Sequence, residues 1–211
     1  METVRTYRQH CGIARALDLV GERWALLVVR ELMHGPKRYT DLAENLGIGT
    51  NILAARLRDL EAGGIVQKRK LPPPAASTVY ELTEYGRELE PVLLALGRWG
   101  AKTIGEATPD RSVRSEWFGV ALKAHFRPDQ AEDVHATIAM RFDDGGLTVR
   151  LDGGDISVTT LPADEADLTL TASDPRVVAG FLAGGVPAKA LSPEGDLALV
   201  TRLPAIFPFG A

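Results

Sequence analysis

The sequence contains a single cysteine, Cys11, among its 211 residues. One cysteine cannot form an internal disulfide and cannot supply a metal site alone, so nothing indicates an oxidising compartment. The chain also lacks an apolar run of the roughly 18 residues that a membrane span needs, and its first residues show no apolar core typical of a signal peptide. These absences predict a cytoplasmic protein without membrane insertion.

Catalytic and metal-binding patterns are also absent. The sequence has no G-x-S-x-G, H-E-x-x-H or G-x-x-x-x-G-K-[ST] motif, and its 4 histidines have no metal-ligand spacing. The turns DDGG (143–146) and DGGD (152–155) superficially resemble calcium loops, but they lack the alternating carboxylates and closing Glu of an EF-hand. Asp-Gly is an ordinary hairpin turn. We therefore predict no enzyme, no metal site and no cofactor.

The two halves of the chain differ in charge. Residues 1–106 carry 15 basic and 13 acidic side chains, whereas residues 107–211 carry 9 and 15. A polyanion would therefore meet the N-terminal half. Between the halves, EATPDRSVRS is polar and contains a proline, which is typical of a linker. We predict a domain at 1–106, a linker at 107–114 and a domain at 115–211.

Helical periodicity occupies most of the N-terminal half. Apolar residues from Ile13 and Leu17 onward, interrupted at Gly21, predict a buried face on one helix or on two abutting helices. A short helix over about 40–46, a glycine turn and a second helix ending at Gly63 follow. Helix, turn and helix at this spacing predict a helix-turn-helix unit.

The second helix of this unit has two distinct faces, because each residue turns about 100° around the helix axis. An apolar stripe predicts core contacts, and the opposite side carries donors that suit adenine and guanine edges in a major groove. A solvated helix surface is the alternative interpretation. The stripe comprises Leu53, Leu57 and Leu60, and the opposite side comprises Asn51, Ala55 and Arg58, with Thr50 at the helix start and Arg56 on the flank.

Two short β-rich runs follow, IVQKRK (65–70) and STVYEL (77–82), and they predict a hairpin. The prolines between them (72–74) end the first strand, since proline cannot donate to a ladder, and they stiffen the tip. Helical spacing then resumes from Leu89 to Trp99. Helices, a hairpin and a further helix in this order predict a winged helix-turn-helix domain, in which the hairpin is the wing.

Five motifs in a fixed order make a family resemblance specific. They are a cysteine before the first helix, G-x-(R/K)-W, GP-(K/R)-(R/K)-(F/Y), L-x-x-R-L-(R/K)-x-L-E and Y-x-L-T-x-x-G. In these motifs the N-terminal half resembles the HxlR-type branch of bacterial winged-helix transcription regulators. The resemblance implies binding of double-stranded operator DNA as a homodimer, in which the first helix and the helix around Leu89–Trp99 pair with their symmetry mates.

The resemblance also implies roles for individual residues. Phosphate contacts give affinity and register, whereas base contacts give specificity. Gly49-Thr50 replaces the Ser-Pro that commonly opens this helix, which predicts a slightly weaker helix start. The implied base-facing residues are Thr50, Asn51, Ala55 and Arg58, Arg56 is a phosphate or structural contact, and the implied phosphate contacts are Lys37, Arg38 and Tyr39 together with Lys68, Arg69 and Lys70 in the wing.

Cys11 has two interpretations. Some members of the family sense oxidants or electrophiles with a cysteine at this place, which makes Cys11 a candidate redox sensor. A reactive thiolate needs a nearby positive group, such as Arg8 or Arg15. A packed, unreactive thiol is the alternative.

The C-terminal half changes to a period of two residues from Val134. This alternation predicts four strands of an antiparallel sheet that is apolar on one face. Apolar segments before and after the strands, SEWFGVALKAHF, DPRVVAGFLAGG and GDLALVTRLPAIFPF, predict helices that cover this face. The fold class is therefore α+β, with a winged helix-turn-helix domain followed by a sheet covered by helices on one face.

The order of strand, helix, Gly-Asp segment and closing amphipathic helix in this half resembles the sterol-carrier-protein-like fold. That fold implies an apolar tunnel for a lipid or acyl chain, and an ordinary core is the alternative. We predict a transcriptional regulator modulated by an apolar ligand; the alternative is a lipid or acyl carrier whose N-terminal domain serves for dimerisation. The lining would come from Phe118, Leu122, Met140, Phe181, Leu182, Leu199 and Phe207.

Overall fold

The chain divides into two compact units, residues 1–93 and 94–211. This division lies before the boundary predicted from the sequence. Most of the predicted linker, and Pro74 in the predicted wing tip, lie outside the described residues, so the linker stays a prediction. The computed structural model describes residues 6–73, 76–105 and 113–210.

The first unit begins with two abutting helices and a helix-turn-helix pair, as the sequence predicts. Trp24 separates the first two helices with a left-handed backbone (φ 80°). Gly47 (φ 59°) ends the third helix, where a left-handed conformation favours glycine. The helices are α1 (Gly12–Val20), α2 (Ala25–Leu32), α3 (Tyr39–Leu46) and α4 (Thr50–Ala62).

The predicted hairpin and the helix after it are present. The two strands pair antiparallel, with Val66 opposite Leu82 at the root and Lys70 opposite Thr78 near the tip. We call this hairpin the wing. Its strands are β1 (Val66–Lys70) and β2 (Thr78–Leu82), and the helices after it are α5 (Glu84–Arg87) and α6 (Glu90–Ala101).

Thr83 and Gly86 form the corner that follows the wing. The Thr83 hydroxyl accepts a hydrogen bond from the Gly86 N–H (2.9 Å) and donates one to the Gly64 carbonyl (2.6 Å). A Cβ on Gly86 would lie 2.1 Å from the carbonyl oxygen of Ile65. Only glycine lets α5 approach the root of β1 this closely, which explains the L-T-x-x-G part of the sequence motif.

Helices α1 and α6 expose apolar side chains in the single chain. Ile13 is 74% exposed and Leu17 is 45% exposed, where the sequence predicted a buried face. On α6, Trp99 is 71% exposed and Leu96 is also exposed, whereas Leu93 is buried. The periodic pattern therefore marks an apolar surface on each of these helices, and only part of each helix packs into a core.

The second unit holds a five-stranded sheet in the order β5-β4-β3-β6-β7. Strands β3, β4 and β5 form the predicted antiparallel meander. The prediction of a wholly antiparallel sheet is wrong, because β6 lies parallel to β3. Strand alternation determines which residues share a face but not strand direction. The strands are β3 (His135–Phe142), β4 (Gly145–Asp152), β5 (Asp155–Thr159), β6 (Leu168–Thr171) and β7 (Glu194–Gly195).

A crossover segment, residues 160–167, connects β5 to β6 across the polar face of the sheet. The Thr148 hydroxyl donates to the Leu161 carbonyl (2.7 Å). At the far end, the Asp167 carboxylate accepts from the N–H of Thr137 (2.7 Å). These bonds attach the crossover to β4 and β3, and they place β6 beside the central strand.

Helices cover the apolar face of this sheet, as predicted. Their side chains and those of the strands form one core, and all seven residues predicted to line a tunnel are buried in it. The ligand-binding role of these residues stays a prediction. Within the ranges that the structure describes, every helix is too short or too polar to span a bilayer. The helices are α7 (Ser115–His125), α8 (Pro175–Leu182) and α9 (Leu197–Ile206), with short 3-10 turns at Pro128–Gln130 and Ala188–Leu191.

Candidate nucleic-acid interface

Helix α4 exposes the polar face that the sequence assigned to DNA. The predicted stripe of Leu53, Leu57 and Leu60 is buried, and it fixes the rotation of the helix in the core. As a result, Asn51 and Arg58 are exposed on the opposite side. The predicted start residue Thr50 is exposed as well, and Ala55 is half-buried between the two polar side chains.

The segment before α3 connects the wing to the helix-turn-helix unit. Lys37 and Tyr80 exchange two backbone hydrogen bonds (2.9 and 2.8 Å), so this segment is joined to β2 by a single β-bridge. The Arg38 Nε donates to the Ser77 Oγ (3.2 Å) near the wing tip. The Tyr39 hydroxyl donates to the carbonyl of Thr50 (2.6 Å), at the first residue of α4. These bonds place Lys37 and Arg38, the two cations predicted in this segment, beside the wing.

Arg56 differs from Arg58 in its contacts. Its guanidinium lies 3.1 Å from the Asp59 carboxylate and 3.7 Å from that of Glu22, and its side chain is only 18% exposed. The sequence allowed Arg56 to be either a phosphate contact or a structural contact. This geometry favours the structural contact. Arg58 remains exposed on the polar face of α4.

The wing distributes its cations over both of its faces, because neighbouring side chains in a strand point in opposite directions. Lys68 lies opposite Tyr80, and its ammonium is 3.0 Å from the Glu61 carboxylate of α4. The hydrogen bond to Glu61 raises the pKa of Lys68, and the phenol group of Tyr80 acts in the same direction. The ammonium also lies 5.5 Å from the centre of the Tyr80 ring. Lys68 therefore stays protonated while it connects the wing to α4.

Arg69 points away from Lys68 and binds Glu81 across the wing at 2.9 Å. Glu81 also accepts a hydrogen bond from the Gln67 side chain (3.0 Å). Burial raises the pKa of Glu81, but the hydrogen bonds from Arg69 and Gln67 outweigh burial and lower it overall. In the described ranges, Lys70 is the wing cation without an ion pair.

A cavity of about 450 Å³ lies between α4 and the wing. Leu57, Tyr39 and Tyr80 are among the residues that line it. The cations Arg58 and Lys68 and the amide of Asn51 also line it. The cavity is therefore a concave surface that combines positive charge, hydrogen-bond donors and aromatic rings.

Sequence reasoning identified the cations of this surface but missed four residues around them. Ala54 and Tyr80 line the cavity, and Glu61 and Glu81 hold wing cations. The hairpin register offered a signal for Tyr80, because it places that ring opposite Lys68. The partner of Lys68 on α4 depends on tertiary packing and had no signal in the sequence.

The first unit is a winged helix-turn-helix domain. Three features define it: the order of its helices, the exposed polar face of α4, and the paired strands of the wing. A model of the HxlR-like helix-turn-helix family matches residues 19–108. An HTH-type transcriptional regulator of Mycobacterium tuberculosis is 42% identical over 89 residues, which cover 42% of this chain and 56% of the relative. A regulator of Synechocystis is 39% identical over 104 residues, which cover 49% of this chain and 77% of the relative. The chain belongs to the HxlR-like family.

Among solved structures, the reduced form of the transcriptional regulator YodB from B. subtilis aligns at 32% identity with a TM-score of 0.41. The alignment covers 47% of this chain and 100% of that one. The chain spans about half of the length of the M. tuberculosis relative, 56%. The family match ends at residue 108, before the sheet of the second unit. The sterol-carrier-like assignment of that unit therefore stays a prediction.

Proposed function

We propose that the protein is a DNA-binding transcriptional regulator that acts as a homodimer on operator DNA. The observation that carries the proposal is the exposed pair Asn51 and Arg58 on α4, beside the cavity that the wing cation Lys68 completes. Asn and Arg side chains match the edges of adenine and guanine in a major groove. Lys37, Arg38 and Lys70 are candidate phosphate contacts, whereas the Tyr39 hydroxyl donates its proton to the Thr50 carbonyl and its ring lines the cavity.

A binding experiment with the full chain tests this function. The chain is titrated into labelled duplexes from its own upstream region and into shuffled controls, over a series of salt concentrations. We expect tighter binding to the upstream duplex, and affinity for both that falls steeply with salt, because phosphate contacts release counterions. Equal affinity for every duplex would leave a non-specific DNA-binding protein, and no binding at low salt would remove the function altogether.

The homodimer is supported by the apolar surfaces of α1 and α6. Helix α1 exposes Ile13 and Leu17, and α6 exposes Leu96 and Trp99. An apolar patch on a soluble protein commonly marks a protein interface. Analytical ultracentrifugation of the chain and of a Trp99→Glu variant tests the assignment. We expect a dimer that the variant weakens, and a monomeric parent chain would contradict it.

Cys11 supports thiol-based regulation as a second property of the same regulator. The thiol is exposed just before α1. The backbone N–H groups of Ala14 and Ile13, at the start of α1, lower the pKa of Cys11. This cause differs from the predicted one, a nearby Arg8 or Arg15. A lowered pKa increases the thiolate fraction at neutral pH, and the thiolate is the form that reacts with oxidants and electrophiles.

The proposal includes modulation by an apolar ligand in the second unit. Phe118, Met140 and Phe207 pack in the core of the second unit together with the other predicted lining residues. A bound lipid would have to separate the helices from the sheet at these side chains. Native mass spectrometry of the purified chain tests the proposal: a co-purified apolar molecule supports it, and the bare polypeptide mass assigns these residues to the core alone.

A further inference from the structure

We propose that Glu61 and Glu81 limit the contribution of the wing to DNA binding. Each carboxylate pairs with one wing cation, so a DNA phosphate must compete with the carboxylate for that cation. We call each of these ion pairs a restraint. The inference rests on the proposed DNA-binding function. It concerns how much of the wing's positive charge is available to a duplex. With Lys68 and Arg69 paired inside the protein, the wing contributes less to DNA affinity than its three cations would indicate.

The first restraint joins the wing to the recognition helix. Glu61 follows Arg58 by three residues on α4, and its carboxylate lies 3.0 Å from the Lys68 ammonium on β1. Residues three apart on a helix are neighbours on its surface, so this carboxylate borders the polar face of α4. Both side chains are partly exposed, at 46% for Lys68 and 36% for Glu61. A phosphate can therefore reach the lysine, but it meets the carboxylate beside it.

The second restraint lies on the opposite face of the wing. Glu81 binds the Arg69 Nε at 2.9 Å and the Gln67 amide at 3.0 Å. Its side chain is only 13% exposed, whereas that of Arg69 is 45% exposed. The carboxylate is thus held in place by two donors, while the guanidinium remains within reach of solvent.

Charge balance explains why these pairs reduce affinity. DNA binding gains free energy when protein cations replace condensed counterions along the phosphates. A lysine already paired with a carboxylate brings almost no net charge to the phosphate, and the carboxylate repels it. A Glu→Gln substitution removes the negative charge and keeps the shape of the side chain. The paired cation then contributes its full positive charge to the interface with DNA.

The test uses the full chain with Glu61→Gln and Glu81→Gln, which replace the charge and keep the side-chain length. Binding to a labelled duplex of shuffled sequence is measured by fluorescence anisotropy over a series of KCl concentrations. Each variant should bind roughly two- to five-fold more tightly, the range expected from a solvent-exposed ion pair. Each should also steepen the slope of log affinity against log salt by about 0.9.

Glu88→Gln is the matched control, since it removes the same charge from an exposed residue beside α5. Binding by the Glu61→Gln and Glu81→Gln variants that equals binding by this control would overturn the inference, because overall charge alone would then explain the result. In a Lys68→Gln background, Glu61→Gln should keep only the part of its gain that comes from removing the repulsion between the carboxylate and the phosphate. An undiminished gain would also overturn it, because Glu61 would then not act through Lys68.

The same titrations separate this inference from the proposed function. If the parent chain binds duplex DNA and the variants match the control, only the restraint is wrong. If neither the parent chain nor any variant binds a duplex at low salt, the DNA-binding function itself is wrong, and the restraint is overturned with it.

Discussion

The glycine at the corner after the wing offers the sharpest stability prediction. In a Gly86→Ala variant, the new Cβ would stand 2.1 Å from the Ile65 carbonyl oxygen and 3.0 Å from its carbonyl carbon. Both obstacles are backbone atoms, so no side-chain rotation relieves the clash, and α5 must move away from β1. Overpacking of a well-packed site lowers the free energy of unfolding by about 1–3 kcal/mol. We expect a loss at the upper end of this range, because the backbone contact is rigid.

For a unit of this size, about 3 kcal/mol corresponds to a melting temperature lower by roughly 12–24 °C. Thermal unfolding followed by circular dichroism and tryptophan fluorescence measures this shift. Gly12→Ala is the control, because Gly12 lies in α1 of the same unit and a Cβ on it would meet nothing within 4 Å. Alanine is the better helix former, so that variant should match or exceed the parent chain. Equal melting temperatures for the two variants would refute the account of the corner.

Three other predictions concern the site, the thiol and the second unit. Arg58→Ala should weaken binding to the preferred duplex more than binding to shuffled DNA in anisotropy titrations. Equal losses of affinity for both duplexes would make Arg58 a phosphate contact. Arg56→Ala should mainly lower the melting temperature. The rate of Cys11 alkylation against pH should reach half of its maximum at a lower pH than that of a cysteine in an unstructured peptide, because the N–H groups at the start of α1 favour the thiolate and lower the pKa of the thiol; a midpoint equal to or above that of the peptide would contradict the account. Asp196→Ala should destabilise the second unit by about 1 kcal/mol in urea unfolding, because the carboxylate accepts from the N–H groups of Ala198 and Leu199 at the start of α9; unchanged stability would show that the cap contributes nothing.

Much of the first unit could be predicted from the sequence because its signals are local. The 3.6-residue spacing of Leu53, Leu57 and Leu60 determined which side of α4 faces the core, and the polar face followed from it. The two β-rich runs and the prolines between them marked the wing. Short-range spacing also located Gly86 in a motif, although only the structure shows that the carbonyl of Ile65 excludes a side chain there.

Other features depend on partners that are distant in sequence. Spacing shows that α1 has an apolar side, but not that Ile13 faces outward in the single chain. The Lys68–Glu61 pair forms only because the wing packs beside α4. The direction of β6 was predicted wrongly for a similar reason: alternation is the same in parallel and antiparallel strands, and the crossover from β5 decides between them.

That crossover also affects the order in which the second unit can fold during synthesis. The meander of β3, β4 and β5 needs only hairpin contacts between neighbours, which form early because their loops are short. The central strand β3 then keeps one edge unpaired until Leu168–Thr171 emerge and pair with it. An open edge of this kind is a site where chains aggregate. A nascent chain is therefore most vulnerable after β5 has left the ribosome and before β6 has, and synonymous codons that slow translation between Thr159 and Leu168 should increase aggregation.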